Sequence, residues 1–344
     1  MTEHQQFLLF SLVKIACVIA VLMPMIAYAV VAERRISAFI QNRIGPNRVG
    51  PLGLLQPLAD GVKFILKEDF TPDHVRKAYF WLAPAITMIP AFMTIAVIPF
   101  GSSLTAGGQK MVIADLNVGI LYTFGIVSLG VYGIVLAGYA SNSKYPFLGG
   151  IRSSSQMISY EIAMGMSVIP VFMLVGDLNL SSVVGYQAGG FHRWLILRAP
   201  LSFAIFMVAA FAETNRLPFD LPESEQELVG GYHTEYSSMK FALFFMGEYA
   251  NMIAASAMMV TLFLGGWSLP MFGLDHPAAS IGLGLVQIGV FLAKMLVLMV
   301  VFIWVRWMWP RFRYDQLMDL GWRRFIPLAL ANIFLYATVL WLKA

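Results

Sequence analysis

Glu213, Asp220, Glu223, Glu225, Glu227, Glu235 and Glu248 place seven of the chain's 19 acidic residues in one stretch between apolar runs. A carboxyl beside or inside a bilayer is costly to keep charged, so such residues point to ion or proton handling. Asp220, Glu223, Glu225 and Glu227 lie close enough in sequence for like charges to hinder one another's ionisation, with Arg216 the nearest cation. A solvated acidic loop meeting a basic partner is the alternative; Pro218, Phe219, Leu221 and Pro222 interleave apolar groups that such a tract does not need. Glu161, Glu213, Glu248 and Lys294 fall within or at the edge of apolar runs, where each charge costs about 2.5 to 3.5 kcal/mol on insertion scales. They form either a buried polar path, or static ion pairs and snorkelling side chains that fix helix packing. Carboxyls at graded depth could relay protons through water, Glu248 lying ~12 Å beyond Lys240 at ~1.5 Å per residue.

Other chemistries find no residues to carry them. The one cysteine, Cys17, cannot build a disulfide framework or an iron–sulfur cluster. The five histidines, at 4, 74, 192, 233 and 276, lack the spacing of a metal or haem site. There is no phosphate-binding Gly-Lys-Ser/Thr loop and no dinucleotide fingerprint, so no NADH site is expected here. No nucleophile triad is readable, and the arginines read as membrane-surface charges rather than a nucleic-acid patch.

The elements that must position these residues are membrane helices. The composition is 59% hydrophobic and 12% charged, with a mean hydropathy of +0.73. Its apolar runs are continuous over helix-length spans rather than alternating as barrel strands do. Spans are predicted at about 7–31, 79–100, 118–140, 156–175, 199–212, 241–267, 282–305 and 323–342, giving an all-α polytopic membrane protein with about eight transmembrane helices in a single integral domain, 1–344. The first span is too long for a secretory signal and has no cleavage pattern. Loops 32–78, 141–155, 213–240 and 306–324 carry eight, two, two and five of the 23 Lys and Arg residues. By the positive-inside rule these loops face the cytoplasm or matrix, and both termini face the opposite side. Between Leu52 and Glu68, Leu54, Leu58, Val62 and Ile65 recur at helical spacing opposite Gln56, Asp60, Lys63 and Lys67, which predicts an interfacial amphipathic helix.

Four strings carry a resemblance: AERRISAFIQNRIGPNRVGPLGLLQPLADGVKFILKED, YPFLGGIRSSSQMISYEIAM, FAETNRLPFDLPESEQELVGGYHTEYSSMKFALFFMGEYANM and PRFRYDQLMDLGW. They closely resemble the H-subunit family of bacterial NADH:quinone oxidoreductase, respiratory complex I, whose mitochondrial counterpart is NADH dehydrogenase subunit 1. The resemblance implies eight transmembrane helices plus amphipathic surface helices, five of the spans resembling an antiporter half-channel. It implies a subunit, catalytically incomplete alone, that anchors the hydrophilic arm, forms the membrane side of a quinone tunnel and couples quinone reduction to proton translocation. Its setting is the bacterial cytoplasmic membrane, with both termini periplasmic. The partners implied are the lipid bilayer, hydrophilic quinone-site and iron–sulfur subunits, and small membrane-arm subunits. The substrate implied is a quinone, with ubiquinone favoured over menaquinone; flavin and iron–sulfur clusters belong to other subunits, and no haem is expected here. By matching position, Glu33, Arg34, Arg43, Asp60, Arg216, Phe219 and Asp220 fall in the family's tunnel segments. Glu161, Glu213, Glu223, Glu225, Glu227 and Glu248 match its acidic path. A membrane-bound hydrogenase relative, a stand-alone secondary transporter and a purely structural anchor are the rival readings.

Overall fold

The computed structural model describes residues 3–103, 109–220, 230–271 and 273–343. Among the described residues twelve α-helices follow one another: α1 (Glu3–Ile40), α2 (Gln56–Leu66), α3 (Lys77–Thr94), α4 (Gly119–Ala140), α5 (Lys144–Val175), α6 (Leu180–Gln187), α7 (Leu195–Arg198), α8 (Pro200–Glu213), α9 (Ser238–Phe263), α10 (Ile281–Met308), α11 (Tyr314–Asp319) and α12 (Ile326–Lys343). Between α3 and α4, β1 (Gly101–Ser103) pairs antiparallel with β2 (Lys110–Met111). Among the described residues, seven helical stretches are long and apolar enough to cross a membrane. The remaining predicted span corresponds to α8, whose 14 residues cover ~21 Å. The chain is thus an all-α polytopic membrane protein.

Several helices run past the predicted spans. α1 has 38 residues, or ~57 Å, longer than a ~30 Å hydrocarbon layer requires, and its last turns carry Glu33 and Arg34. α5 begins at Lys144, so most of the predicted 141–155 loop is helix. Its polar sequence is explained by burial: Gly149, Gly150, Ser153 and Gln156 face the protein interior. The last span is interrupted by a π-turn at Leu320–Phe325, where a side chain on Gly321 would meet Ser159 Oγ at 2.5 Å.

Helix association in lipid depends on close backbone approach, because lipid tails are as apolar as the side chains. The α3–α4 contact shows this. A Cβ on Gly133 would lie 2.2 Å from Thr87 Oγ1 and 2.7 Å from Thr87 N. Interhelical polar contacts add specificity: Asn332 Nδ2 on α12 donates to Ser202 Oγ on α8 at 2.9 Å. The main core joins α1, α5, α8, α9 and α10 around Tyr160, Phe206, Met252, Met259 and Phe263. Leu12, Leu121, Val297 and Phe334 point outward, exposed, as bilayer solvation permits.

The side away from the basic loops is tied by short-range polar contacts. Lys14 Nζ donates to the carbonyls of Lys110 (2.8 Å) and Val112 (3.1 Å). Asn179 Nδ2 and Ser181 Oγ donate to Asp115 Oδ1 at 2.9 and 3.0 Å. Lys294, grouped by sequence with the carboxylates, belongs to this side instead. Its Nζ donates to the carbonyls of Leu264, Gly266 and Ser268 at 2.7, 2.9 and 2.6 Å, spending all three ammonium protons on the turn that follows α9.

Candidate functional site

Four elements converge at the basic end of the bundle. Glu33 on α1 is 5% exposed and accepts from Arg216 Nη1 on both oxygens, at 3.0 and 2.9 Å. Tyr249 Oη on α9 donates to Glu33 Oε2 at 2.7 Å, and Arg306 Nη1, in the last turn of α10, donates to Glu33 Oε1. Arg216 Nε lies 2.7 Å from Glu248 Oε1, a charge contact off the line of the N–H, and its guanidinium sits 4.4 Å from the Tyr249 ring centroid. Two carboxylates and two guanidiniums therefore offset one another in a place from which water is largely excluded. Burial pulls the Arg216 guanidinium down, but Glu248, Tyr249 and Glu33 outweigh it and hold it well above its ordinary value. It stays cationic at any working pH. A cavity of about 30 Å³ opens beside it, lined by Asn215, Asp220, Phe245, Glu248, Tyr249 and Arg306 among others.

The turn that carries Arg216 is built by side chains from α5 and from beyond α10. Gln156 Nε2, fully buried, donates to the carbonyls of Ala212 (2.8 Å) and Phe219 (2.9 Å) and to Asn215 Oδ1 (3.2 Å). Asn215 adopts φ 49°, a left-handed conformation that asparagine tolerates better than most residues. Phe219 packs edge-on against Tyr160, centroids 5.3 Å apart. Asp220 Oδ2 pairs with Arg311 Nη2 at 3.1 Å, and Phe312 N donates to Pro218 O at 3.1 Å.

The other predicted tunnel residues lie nearer the surface. Arg34 pairs with Asp60 of α2 at 2.7 Å, with the two side chains 47% and 26% exposed. Arg43 is exposed, its Nε donating to Gln41 Oε1 at 2.6 Å. Between α2 and the buried cluster runs an aromatic series. Phe64 lies 6.3 Å from Phe241, Phe241 6.1 Å from Phe245, and Phe245 5.0 Å from Tyr249, by ring centroids. The spacing 241, 245, 249 puts the last three on one face of α9.

Glu213 occupies a second polar spot. Neither of its carboxyl oxygens has a hydrogen-bond partner among the described residues. It borders a cavity of about 40 Å³, also lined by Thr94, Thr123, Thr214 and Asn251, with room for more than one water molecule. The three threonine hydroxyls donate to carbonyls of their own helices, which leaves their oxygens as acceptors. Glu161, half-buried, accepts from Ser128 Oγ of α4 and is near enough for its charge to act on Glu213. Glu223, Glu225 and Glu227 lie outside the described residues.

Thus Glu33, Arg216 and Glu248 are brought into one cluster, Asp220 lines the cavity beside it, Phe219 is buried in the core behind it, and Arg34, Arg43 and Asp60 are not in it. Sequence reasoning missed Tyr249 and Arg306. Tyr249 adjoins Glu248 in sequence, and Arg306 is the first cation after an apolar run; the signal for each is a polar group ending or interrupting a span. Gln156 and Ser128 carried no signal, because a neutral polar residue in a helix is common.

The profile of the NADH dehydrogenase family matches residues 13–337. The chain is 48% identical to the NADH-quinone oxidoreductase H subunit 2 of Koribacter versatilis, over 98% of each chain. It is 50% identical to the H subunit 1 of Cytophaga hutchinsonii, over 95% of this chain and 96% of the relative. It is also 50% identical to the H subunit 1 of Geobacter metallireducens, over 96% and 97% respectively.

Proposed function

This chain belongs to the NADH dehydrogenase family, among whose members are the H subunits of bacterial NADH-quinone oxidoreductase, and on that premise we propose that it forms the membrane side of a quinone chamber and couples quinone reduction to proton translocation. The observation that carries the reading is the Glu33–Arg216–Glu248–Arg306 cluster beside a small cavity at the inner end of an apolar, aromatic track.

A quinone has an apolar tail and a polar head, and the track and the cluster suit those two parts in that order. Reduction adds two electrons and two protons to the head, and the electrons come from the rest of the complex. Negative charge developing on the head is favoured by Arg216 and Arg306, whose hold on Glu33 and Glu248 then weakens in proportion. A carboxylate released in this way is a proton acceptor. Glu248 is the member of the cluster on α9, and Glu213 with Glu161 continues the series of carboxyls toward α4 and α5. Water in the cavity beside Glu213 supplies a medium for proton transfer between groups not in direct contact. Arg34, Arg43 and Asp60 belong to the outer part of the chamber, Asp220 to the cavity beside the cluster, Phe219 to the core behind it, and Glu223, Glu225 and Glu227 to the acidic path.

The proposed orientation follows the Lys and Arg distribution: the cluster and α2 lie on the cytoplasmic side of a bacterial cytoplasmic membrane, and both termini on the periplasmic side. The hydrophilic subunits of the complex dock on the cytoplasmic face, and the quinone is a ubiquinone. Glu213→Gln in the assembled complex tests the coupling. The expected result is loss of proton pumping with at least several-fold slower quinone reduction; wild-type levels of both would refute the role given to Glu213.

A further inference from the structure

α2 has little packing of its own to hold it. None of its residues is buried, and Leu58, Val62, Ile65 and Leu66 are 54% to 78% exposed. Toward its amino end the Arg34–Asp60 pair joins it to α1, but both side chains meet solvent, where ion pairs hold weakly.

Its carboxyl end is fixed differently, by the first turn of α9. Ser238 Oγ lies 2.9 Å from Phe64 O and 3.0 Å from Lys67 O, so one hydroxyl proton is shared between two carbonyls. Phe64 O is one of the carbonyls that a helix end leaves without an N–H partner. Ser238 keeps φ 53°, a left-handed conformation that persists in a non-glycine residue only where its surroundings over-determine it. Two residues on, Lys240 Nζ donates to Asp69 Oδ1 at 3.0 Å and Thr71 Oγ1 at 2.8 Å and lies 4.0 Å from the Trp81 ring centroid. Its side chain is 7% exposed. A buried ammonium is held in place by such partners, and it holds them in turn. α2 is therefore a bridge between α1, which carries Glu33, and α9, which carries Glu248 and Tyr249.

We propose that Ser238 and Lys240 are positioning residues for α2: they seat its carboxyl end against α9, and the seated helix determines how readily a long apolar tail passes between α1 and α9 toward the cluster. This rests on the chamber reading above. Neither residue touches the reacting groups, so the effect belongs on substrate capture rather than on turnover.

The test uses the assembled complex in membranes, with Lys240→Met, Ser238→Ala and Lys240→Arg. Amide exchange over residues 56–66 is followed together with the kinetics of a long-tailed and a short-tailed quinone. In Lys240→Met, exchange in α2 should rise about ten-fold, on the scale of a local opening. KM for the long-tailed quinone should rise about five-fold, with kcat at saturation unchanged and the short-tailed quinone affected less. Lys240→Arg, which keeps the charge within reach of Asp69, should restore both. Should Lys240→Met fail to assemble, Ser238→Ala removes only a hydroxyl and carries the same expectations at smaller size. Unchanged α2 exchange in both variants would overturn the seating role while leaving the chamber reading intact. A loosened α2 with an unmoved KM for both quinones would overturn the link to substrate capture. The chamber reading fails separately, on wild-type reduction and pumping in Glu213→Gln.

Discussion

Replacing Glu33 by glutamine removes one charge from the cluster and leaves its shape almost unaltered. The carboxylate is 5% exposed and accepts from Arg216, Arg306 and Tyr249. Glutamine keeps one acceptor oxygen and turns the other into a donor that faces guanidinium. Removing one partner of a buried pair costs about 3 to 5 kcal/mol, and a retained hydrogen bond recovers about 1 kcal/mol of that. The remainder, about 2 to 4 kcal/mol, falls on the placement of Arg216 beside the cavity. At its low end this is about 30-fold in kcat/KM for the quinone. The assay is NADH:quinone turnover in membranes divided by NADH turnover with a water-soluble acceptor, which reports the amount of complex assembled. Asp60→Asn is the contrast: its pair with Arg34 is solvent-exposed, so its loss should cost under about 1 kcal/mol, or less than about five-fold. In a double-mutant cycle, Glu33→Gln with Arg216→Gln should be milder than the two single effects combined by at least about 1 kcal/mol. A Glu33→Gln complex within about three-fold of wild type, or a strictly additive cycle, would refute the claim that the cluster orients Arg216 for the quinone.

Further outcomes follow from single contacts. Gly133→Ala puts a methyl 2.2 Å from Thr87 Oγ1 and 2.7 Å from its backbone nitrogen; overpacking of this kind costs about 1 to 3 kcal/mol or more, and native gels should show reduced assembly, whereas Gly125→Ala, with open space around it, should assemble normally. Asn332→Ala removes the α12–α8 hydrogen bond and should lower the thermal midpoint by an amount equivalent to about 0.6 to 1.7 kcal/mol, with turnover per assembled complex unchanged; an unchanged midpoint would count against that bond's contribution. For Asp115, burial pushes the carboxyl up, and hydrogen bonds from Lys110, Asn179 and Ser181 outweigh it, holding it below its ordinary 3.8. A depressed folded-state value gives stability that is present above the ordinary value and lost as pH falls below it. Limited proteolysis between Lys110 and Asn117 should therefore increase below pH 3.8 in the wild type, and Asp115→Asn should be cut more readily at neutral pH without that acid step.

Glu33 and the role of Arg216 came from the family resemblance; residue type and local spacing were enough to identify the membrane class, the helical spans, the surface helix α2 and, in the cluster, Glu248. These properties are local. A run of apolar residues reports its own solvent, and Leu54, Leu58, Val62 and Ile65 report one face of one helix. The same logic misread the start of α5, because Gly149, Gly150 and Ser153 look like a loop when polarity is taken as exposure, although they are buried against other helices. Tertiary structure alone decided which charges meet. Glu33 is 183 residues from Arg216 and 273 from Arg306, and no periodicity within one helix says which neighbour it will face. It also separated the carboxyls into those neutralised by guanidinium, Glu33 and Glu248, and Glu213, which borders a cavity without a hydrogen-bond partner among the described residues. Lys294 shows the same limit from the other side: its place in an apolar run suggested a path residue, and the order of helix packing put it on the carbonyls of the turn that follows α9. A sequence pattern records what each residue is solvated by, and the pairing of distant residues follows from how helices pack, which is a property of the whole chain.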